Sequence, residues 1–376
     1  MLLLIAVILI AYCLLIIRLF VVWKRIPGGE NTSNHLSVSV VIAVRNEAKN
    51  IRQLLEDLNR QDYPTHLLEL IIVNDQSTDE TAEIIKNVSA QARINIFLLA
   101  LTNDNQVYQS SKKSALSLGI SKAKGDLILT TDGDCRLNTR WVSSHAAFYH
   151  QEEIVFVTGP VLLESDHSLF YSLQQMEFAA LQGVSAALIQ LKHPSMCNGA
   201  NLSFKKAAYL EVNGYDGYGE IISGDDEFLM HKINKRFPDG VGFLKNKQAI
   251  VCTAPQPNWI DFYHQRVRWS GKWKRHRNFQ NAGLALVIFF TYFAIVAGIV
   301  LSLISKFSFL ITVILLFFKL IVEYIFLNNV FEFYRKKFHL LHFILLEITY
   351  PFYALFFGIS SFKGHYQWKQ RNYRNQ

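Results

Sequence analysis

Two strongly apolar stretches bracket this chain, and the segment between them has ordinary globular composition. Residues 1–23, "MLLLIAVILIAYCLLIIRLFVVW", carry one charge, Arg18, and the chain turns strongly apolar again from about Leu284. About 20 helical residues cross the hydrocarbon core of a bilayer, so both ends read as membrane segments and the middle as a soluble domain. A cleaved signal peptide would have a shorter apolar run followed by a small-residue cleavage site. Here "WKR" follows instead, and the segment reads as an uncleaved anchor. Lys24 and Arg25 then place the central domain in the cytoplasm by the positive-inside rule. The dense basic stretch over 266–277 gives the same orientation from the domain's other end.

The net charge of +8 is therefore largely juxtamembrane. No zinc-finger spacing or basic-aromatic repeat accompanies it, so no nucleic-acid partner is expected. Cys13, Cys135, Cys197 and Cys252 show no paired spacing, which fits reduced thiols in a cytoplasmic domain rather than a disulfide scaffold or zinc site.

Within the middle, "VSVVIAV" (38–44) is nearly all apolar, as a strand buried on both faces should be. Asn46 is placed to cap a helix whose apolar positions Ile51, Leu54, Leu55 and Leu58 fall at helical spacing. A second strand, "LELIIVN", leads into "DQSTDET", where Ser77 and Glu80 match a capping box and predict a helix directly after the strand. A third strand at 95–100, a helix over 112–123 and a fourth strand, "DLILTTD", continue the alternation. Such alternation predicts an α/β domain with a doubly wound, mostly parallel sheet. Ligands of these sheets bind beyond the carboxyl ends of the strands. Those ends here are "RNE" (45–47), Asp75 and "DGDC" (132–135), all polar or charged.

Each candidate motif has a plain reading beside its chemical one. In "DGD" (132–134) the carboxylates at i and i+2 project to one side of an extended backbone and can meet one hard cation. A solvated turn is the alternative, and about one D-x-D arises by chance in a chain of this size; the position at a buried strand's end favours the metal. "SGDDEF" (223–228) sets three acids at a helix start, either to complement the macrodipole or to supply a general base among clustered carboxylates. "QRVRW" (265–269) combines arginines that can grip a diphosphate with an indole that offers a flat stacking face. Its alternative is a basic amphipathic helix on a lipid surface. Lys112 and Lys113 suit either a phosphate or solvent, and His264 reads as interfacial. No P-loop and no G-x-G-x-x-G after the first strand occurs, so neither usual nucleotide cradle is present.

The ordered set "VNDQSTDET", "SKKSALSLGI…AKGD", "TTDGDC", "NGANLSF", "SGDDEF" and "QRVRW" resembles the membrane-bound family 2 glycosyltransferases, over nearly all of residues 38–270. These are inverting, nucleotide-sugar-dependent enzymes with a GT-A fold, among them polysaccharide synthases and ceramide glucosyltransferases. The resemblance implies that Asp75 and Glu47 contact the nucleotide, joined by Lys112, Asp132, Gln265 and Arg268. It further implies that Asp132 and Asp134 hold Mg²⁺ or Mn²⁺, with Asp134 the direct ligand, that Asp226 is the catalytic base, and that Trp269 meets the acceptor. The chain departs mildly from the pattern at Asn74, where many members have Asp, and at Asp225, where Glu is usual.

The expected organisation is a transmembrane anchor (1–23), a linker (24–36), a cytoplasmic GT-A catalytic domain (37–261), an interfacial Q-x-x-R-W segment (262–281), a C-terminal transmembrane region of about three helices (282–362) and a basic tail (363–376). Candidate spans at 284–304, 308–330 and 338–361 make four with the anchor, and four put the basic tail opposite the catalytic domain, against the positive-inside rule. Pro351, His339, His342 and Glu347 leave a re-entrant or interfacial reading of the last segment open beside it, but the expected count is four spans. Lys319 and Glu323, at i and i+4, either pair or leave Lys319 to snorkel. The expected protein is a multi-pass enzyme of the inner (plasma) membrane, a hexosyl- or N-acetylhexosaminyltransferase using a UDP-linked donor and a lipid or glycan acceptor. Processive polysaccharide synthesis and a non-catalytic nucleotide-binding scaffold are the rivals.

Overall fold

The computed structural model describes residues 1–29, 36–151, 153–164, 168–270, 279–303, 305–360, 365–369 and 371–374. Residues 30–35 of the linker, the basic run 271–278 and Lys363 lie outside the described residues.

Helix α1 (Leu2–Arg25) leads into strand β1 (Val38–Val44), α2 (Ile51–Asn59), β2 (Leu68–Asn74), α3 (Thr81–Ser89), β3 (Asn95–Ala100), α4 (Ser111–Lys122) and β4 (Leu127–Thr130). The chain continues through β5 (Arg136–Leu137), α5 (Trp141–Phe148), β6 (Phe156–Thr158), β7 (Val161–Leu163), α6 (Leu169–Gln190), β8 (Leu202–Lys205) and α7 (Lys206–Glu211). Next come α8 (Asp225–Arg236), β9 (Val241–Phe243), β10 (Val251–Thr253) and α9 (Trp259–Ser270). The apolar end forms α10 (Phe279–Ser302), α11 (Lys306–Phe333) and α12 (Leu340–Ser360), and the tail forms a hairpin of β11 (His365–Trp368) and β12 (Arg371–Arg374).

The main sheet has seven strands in the order β3-β2-β1-β4-β8-β6-β9. Strands β3, β2, β1 and β4 run parallel, and β8 enters antiparallel to both β4 and β6. The sheet is thus mixed but parallel through the half whose strand ends carry the acidic motifs. Strands β1, β2 and β4 are buried almost throughout, which is why their sequences are continuous apolar runs rather than alternating ones. Helix α4 crosses close above them: a Cβ at Gly119 would lie 2.4 Å from Val41 Cγ1, so only glycine permits this approach.

Two local expectations are corrected. Asn46 does not cap α2, which begins at Ile51; it sits at φ 53° and its side chain accepts from the Thr78 N–H, tying the β1 loop to the β2 loop. Nor do Ser77 and Glu80 form a capping box. Ser77 Oγ accepts from the Asn46 N–H, and Asp79 accepts from the Thr81 N–H and hydroxyl, so α3 starts three residues later than the pattern suggests. In both cases a contact across the loops outcompetes the local cap.

Beneath β8 a buried polar hub replaces apolar packing. The Asn201 amide donates to the Pro160 and Ala249 carbonyls at 2.8 Å each, and its Oδ1 accepts from Trp141 Nε1 (2.9 Å) and His145 Nε2 (2.8 Å). Since Nε2 must donate there, His145 Nδ1 accepts from the Ser203 hydroxyl, which in turn accepts from Tyr149. Burial keeps His145 neutral by pushing its pKa down to about 4. The hub holds the loop 198–200, which leads directly into the candidate site.

On the far side, α1 packs against α10 and α11 and leaves Leu3, Leu4, Val7 and Leu14 exposed, as α10 leaves Phe289 and Phe293 and α11 leaves Phe317. Helices α1 and α11 are long and apolar enough to cross a membrane; the apolar parts of α10 and α12 are shorter. Lys319 pairs with Glu323 at 2.5 Å and also with Glu347 of α12, while the Tyr12 hydroxyl of α1 donates to Glu323. The lysine therefore does not snorkel. It bridges helices.

Replacing Asn201 with Ala strands four buried polar groups at once. The Asn201→Ala protein is expected to lose about 3 kcal/mol or more, read as a large fall in melting temperature of the detergent-purified enzyme.

Candidate active site

Strands β1 and β2 run in register from Val38 opposite Leu68 to Val44 opposite Asn74, so their ends release Glu47 and Asp75 side by side. Both are buried, at 5% and 3% exposure. Glu47 is fixed by its own N–H donating to Thr81 Oγ1 and by its Oε2 accepting from the Asn50 amide. Strand β4 delivers Asp132, Gly133 and Asp134 beside them. A Cβ at Gly133 would stand 2.8 Å from Glu47 Cγ, so the glycine between the two acids is what lets this turn approach Glu47.

Ser110 Oγ caps α4 by accepting from the Lys113 N–H, and the helix aims its first turn at the same place. Lys112 Nζ lies 2.9 Å from Asp132 and 3.3 Å from Asp225, joining the D-x-D turn to the start of α8. Burial alone would discharge this lysine, but the two carboxylates outweigh it and hold its pKa above the usual lysine range. Lys113 is not a surface lysine. It is fully buried and donates to the carbonyls of Tyr218, Ile221 and Ser223, folding the loop ahead of α8.

Gly224 opens α8 at φ 78° and places Asp226 in its first turn. Asp226 accepts from the Gly199 N–H and from the Glu227 N–H, both at 2.8 Å, so the loop held by Asn201 also orients this carboxylate.

Helix α9 separates the roles within "QRVRW". Gln265, Arg268 and Trp269 stand at i, i+3 and i+4, one helical face, and all three line the cleft. Arg266 points the other way and is 4% exposed. It pairs with Glu177 of α6 at 2.6 Å, and the Tyr353 hydroxyl of α12 donates to the same carboxylate at 2.6 Å. Its guanidinium lies 4.5 Å from the Trp269 ring, backing the indole from behind. The two arginines thus do different jobs.

These elements enclose one cavity of about 550 Å³, within the range of small-molecule sites. Glu47, Asp75, Lys112, Asp132, Asp134 and Asp226 line it, together with the α9 face. Every site residue expected from the sequence is brought to it, and the further wall of Phe178, Leu181 and Met196 is apolar. Asp134 remains open to the water within the cleft, yet the enclosing walls hydrate it poorly. That dehydration, with the charges of Asp132 and Glu47, raises its pKa to about 6. Among the described residues no ready-made cage of three or more metal-ligating side chains exists. The D-x-D pair nonetheless fits a hard divalent cation of the kind that takes one or two carboxylates and completes its shell with phosphates and water.

The tail was missed as part of the site. Lys369 pairs with Glu47, and Arg371 lays its fork on Asp75 at 3.1 and 3.2 Å while also donating to Ser111 and Gln76. The tail's basic character was visible, but a count of four spans assigned it to the opposite side of the membrane. The hairpin instead lies on the catalytic domain.

Known proteins resemble the chain in both sequence and fold. Residues 39–212 match the description "Glycosyl transferase family 2" and residues 127–322 match "Glycosyl transferase family group 2". A poly-beta-1,6-N-acetyl-D-glucosamine synthase of Staphylococcus aureus (strain COL) is 26% identical over 62% of this chain and 53% of its own length. The chain thus spans about half the length of these curated relatives. A probable glycosyltransferase, YdaM, of Bacillus subtilis (strain 168) is 24% identical over 74% of this chain and 68% of its own. Among solved structures, a mannosyltransferase from Pyrobaculum calidifontis in complex with GDP-Man and Mn²⁺ has a TM-score of 0.58 at 17% identity, covering 90% of this chain and 100% of that one. At that identity it attests the fold, which is the GT-A arrangement implied by the family resemblance.

Asp134 gives a signed stability prediction. A carboxyl whose folded pKa is raised penalises the folded state above that pKa and not below the unfolded one, near 3.8. Asp134→Asn should therefore raise the melting temperature in metal-free buffer at pH 7–8, and the gain should vanish below about pH 4. Water in the cleft screens the charge, so about 1 kcal/mol is the ceiling.

Proposed function

We propose that this chain, which belongs to glycosyl transferase family 2, moves a sugar from a UDP-linked donor to an acceptor hydroxyl at a membrane, with inversion. The observation that carries the reading is the single cavity holding Glu47 and Asp75, the D-x-D turn, Asp226 and the polar face of α9.

Glu47 and Asp75 have the buried, acceptor-only chemistry that suits the N–H and hydroxyl groups of a base and ribose. Asp132 and Asp134 would hold Mg²⁺ or Mn²⁺, which when bound neutralises a diphosphate; the similar mannosyltransferase was solved with Mn²⁺, in line with this role. Asp226, with its two oxygens oriented by backbone N–H groups, takes the proton from the acceptor hydroxyl as that oxygen attacks the anomeric carbon. Arg268 and Lys112, both in the cavity wall, stabilise charge growing on the leaving diphosphate. Trp269 offers its indole to the acceptor sugar. The apolar wall of Phe178, Leu181 and Met196 suits an acceptor with a lipid portion, and favours transfer to a lipid-linked acceptor over extrusion of a long polymer.

The contacts of the tail hairpin with the catalytic domain support an even number of membrane crossings after that domain. Pro351 inside α12, the short apolar part of that helix and the bond from Tyr353 to Glu177 favour α10 and α11 as the crossings and α12 as re-entrant or interfacial. This replaces the four-span count and restores the positive-inside rule for the tail.

Asp226→Asn should lower kcat by about 10²–10⁴ while donor affinity, measured by calorimetry, stays near wild type; unchanged turnover would remove Asp226 from the mechanism. A reporter fused after Gln376 should lie on the same side of the membrane as one inserted in the catalytic domain. Opposite sides would restore an odd count.

A further inference from the structure

The tail hairpin occupies the part of the cleft that the donor reading assigns to the nucleoside. Its antiparallel strands pair from His365 opposite Arg374 to Trp368 opposite Arg371, and Lys369 sits at the turn between them. The turn is anchored from below, since Arg45 Nε donates to the Lys369 carbonyl while Arg45 Nη1 donates to the carbonyls of Asp75 and Gln76. Each cation then meets one buried acid: Lys369 on Glu47, and Arg371 on both oxygens of Asp75. Arg371 also takes Ser111 Oγ at 2.5 Å and Gln76 Oε1 at 2.9 Å, so its fork is fully engaged within the cleft.

The docked hairpin stands on the side of these acids from which a nucleotide would reach them. A carboxylate buried to this degree needs positive charge or several donors, and here the hairpin supplies them. Both Asp75 oxygens are held by one guanidinium, so a base or ribose that binds Asp75 must first displace Arg371. The same steric argument applies to Lys369 at Glu47.

We propose that the C-terminal hairpin is a built-in occupant of the donor cleft, whose Lys369 and Arg371 exchange with the nucleotide for Glu47 and Asp75. The inference rests on the reading that these acids hold the donor. Docking satisfies the buried carboxylates while the cleft is empty and bars it to other ligands; donor binding frees the hairpin. The apparent affinity for donor is then reduced by the fraction of molecules in which the hairpin is out.

Two measurements on the full-length, detergent-purified protein test this. First, calorimetric binding of UDP and of GDP, each with Mn²⁺, is compared among wild type, Arg371→Ala, Lys369→Ala and the double variant. A hairpin docked about nine-tenths of the time predicts roughly tenfold tighter binding when it is disabled, with Arg371→Lys in between because it keeps the charge but loses the fork. Second, trypsin cleavage after Lys369 and Arg371 is followed by mass spectrometry in the wild type. Nucleotide should speed cleavage at both bonds by a similar factor, because docked side chains cannot enter the protease. Binding that weakens or stays level in the variants, or nucleotide that protects the two bonds, would overturn the exchange and make the hairpin a clamp on the donor. Absence of binding of either nucleotide to any form would overturn the donor reading itself, and the exchange with it.

Discussion

Carboxylates confined to one cleft cannot all stay ionised without positive charge among them. Two like charges 4 Å apart repel by about 4 kcal/mol at the dielectric typical of a protein surface, and this cleft gathers Glu47, Asp75, Asp132, Asp134, Asp225 and Asp226. The fold answers from two directions. Lys112, on the first turn of α4, bridges Asp132 and Asp225. Lys369 and Arg371 arrive from the far end of the chain to meet Glu47 and Asp75. Asp134 is poorly hydrated and lies near Asp132 and Glu47, so its pKa is raised at the place where a divalent ion fits.

The positions of the catalytic groups depend on contacts outside the cleft. Asn201 fastens the loop whose Gly199 N–H orients Asp226, and Gly133 leaves room for Glu47. Arg266 anchors α9 to α6 and, through Glu177 and Tyr353, to α12, so the helix that presents Arg268 and Trp269 is tied to the apolar helices. A shift of α12 would therefore reach the α9 wall of the cleft through one buried ion pair.

Much of this was legible in the sequence because parallel strands buried on both faces leave long apolar runs. Strands β1 to β3 begin and end where their patterns predict, and the acids at their ends converge as the topology requires. The pattern "QRVRW" did not say which arginine faces the cleft; the helix puts Arg268 there with Gln265 and Trp269 and turns Arg266 to Glu177. Local signals failed where a distant partner took the group. Asn46 and Ser77 looked like caps, but each bonds across to the neighbouring loop. Lys113 looked solvated, yet the carbonyls of residues about a hundred positions away surround it. The pairing of Arg371 with Asp75 spans 296 positions, and no periodicity or spacing encodes such a contact.

The bridge among Lys319, Glu323, Glu347 and Tyr12 bears on how the protein is made. Its members come from α11, α12 and α1, so the cluster is complete only after the last of these helices has left the ribosome. Until then the lysine and glutamate one turn apart in α11 have each other and Tyr12 of the earlier-made α1, but not Glu347. A chain cut short before α12 would leave Lys319 with one of its two carboxylate partners, so this ion cluster is closed by the last helix made.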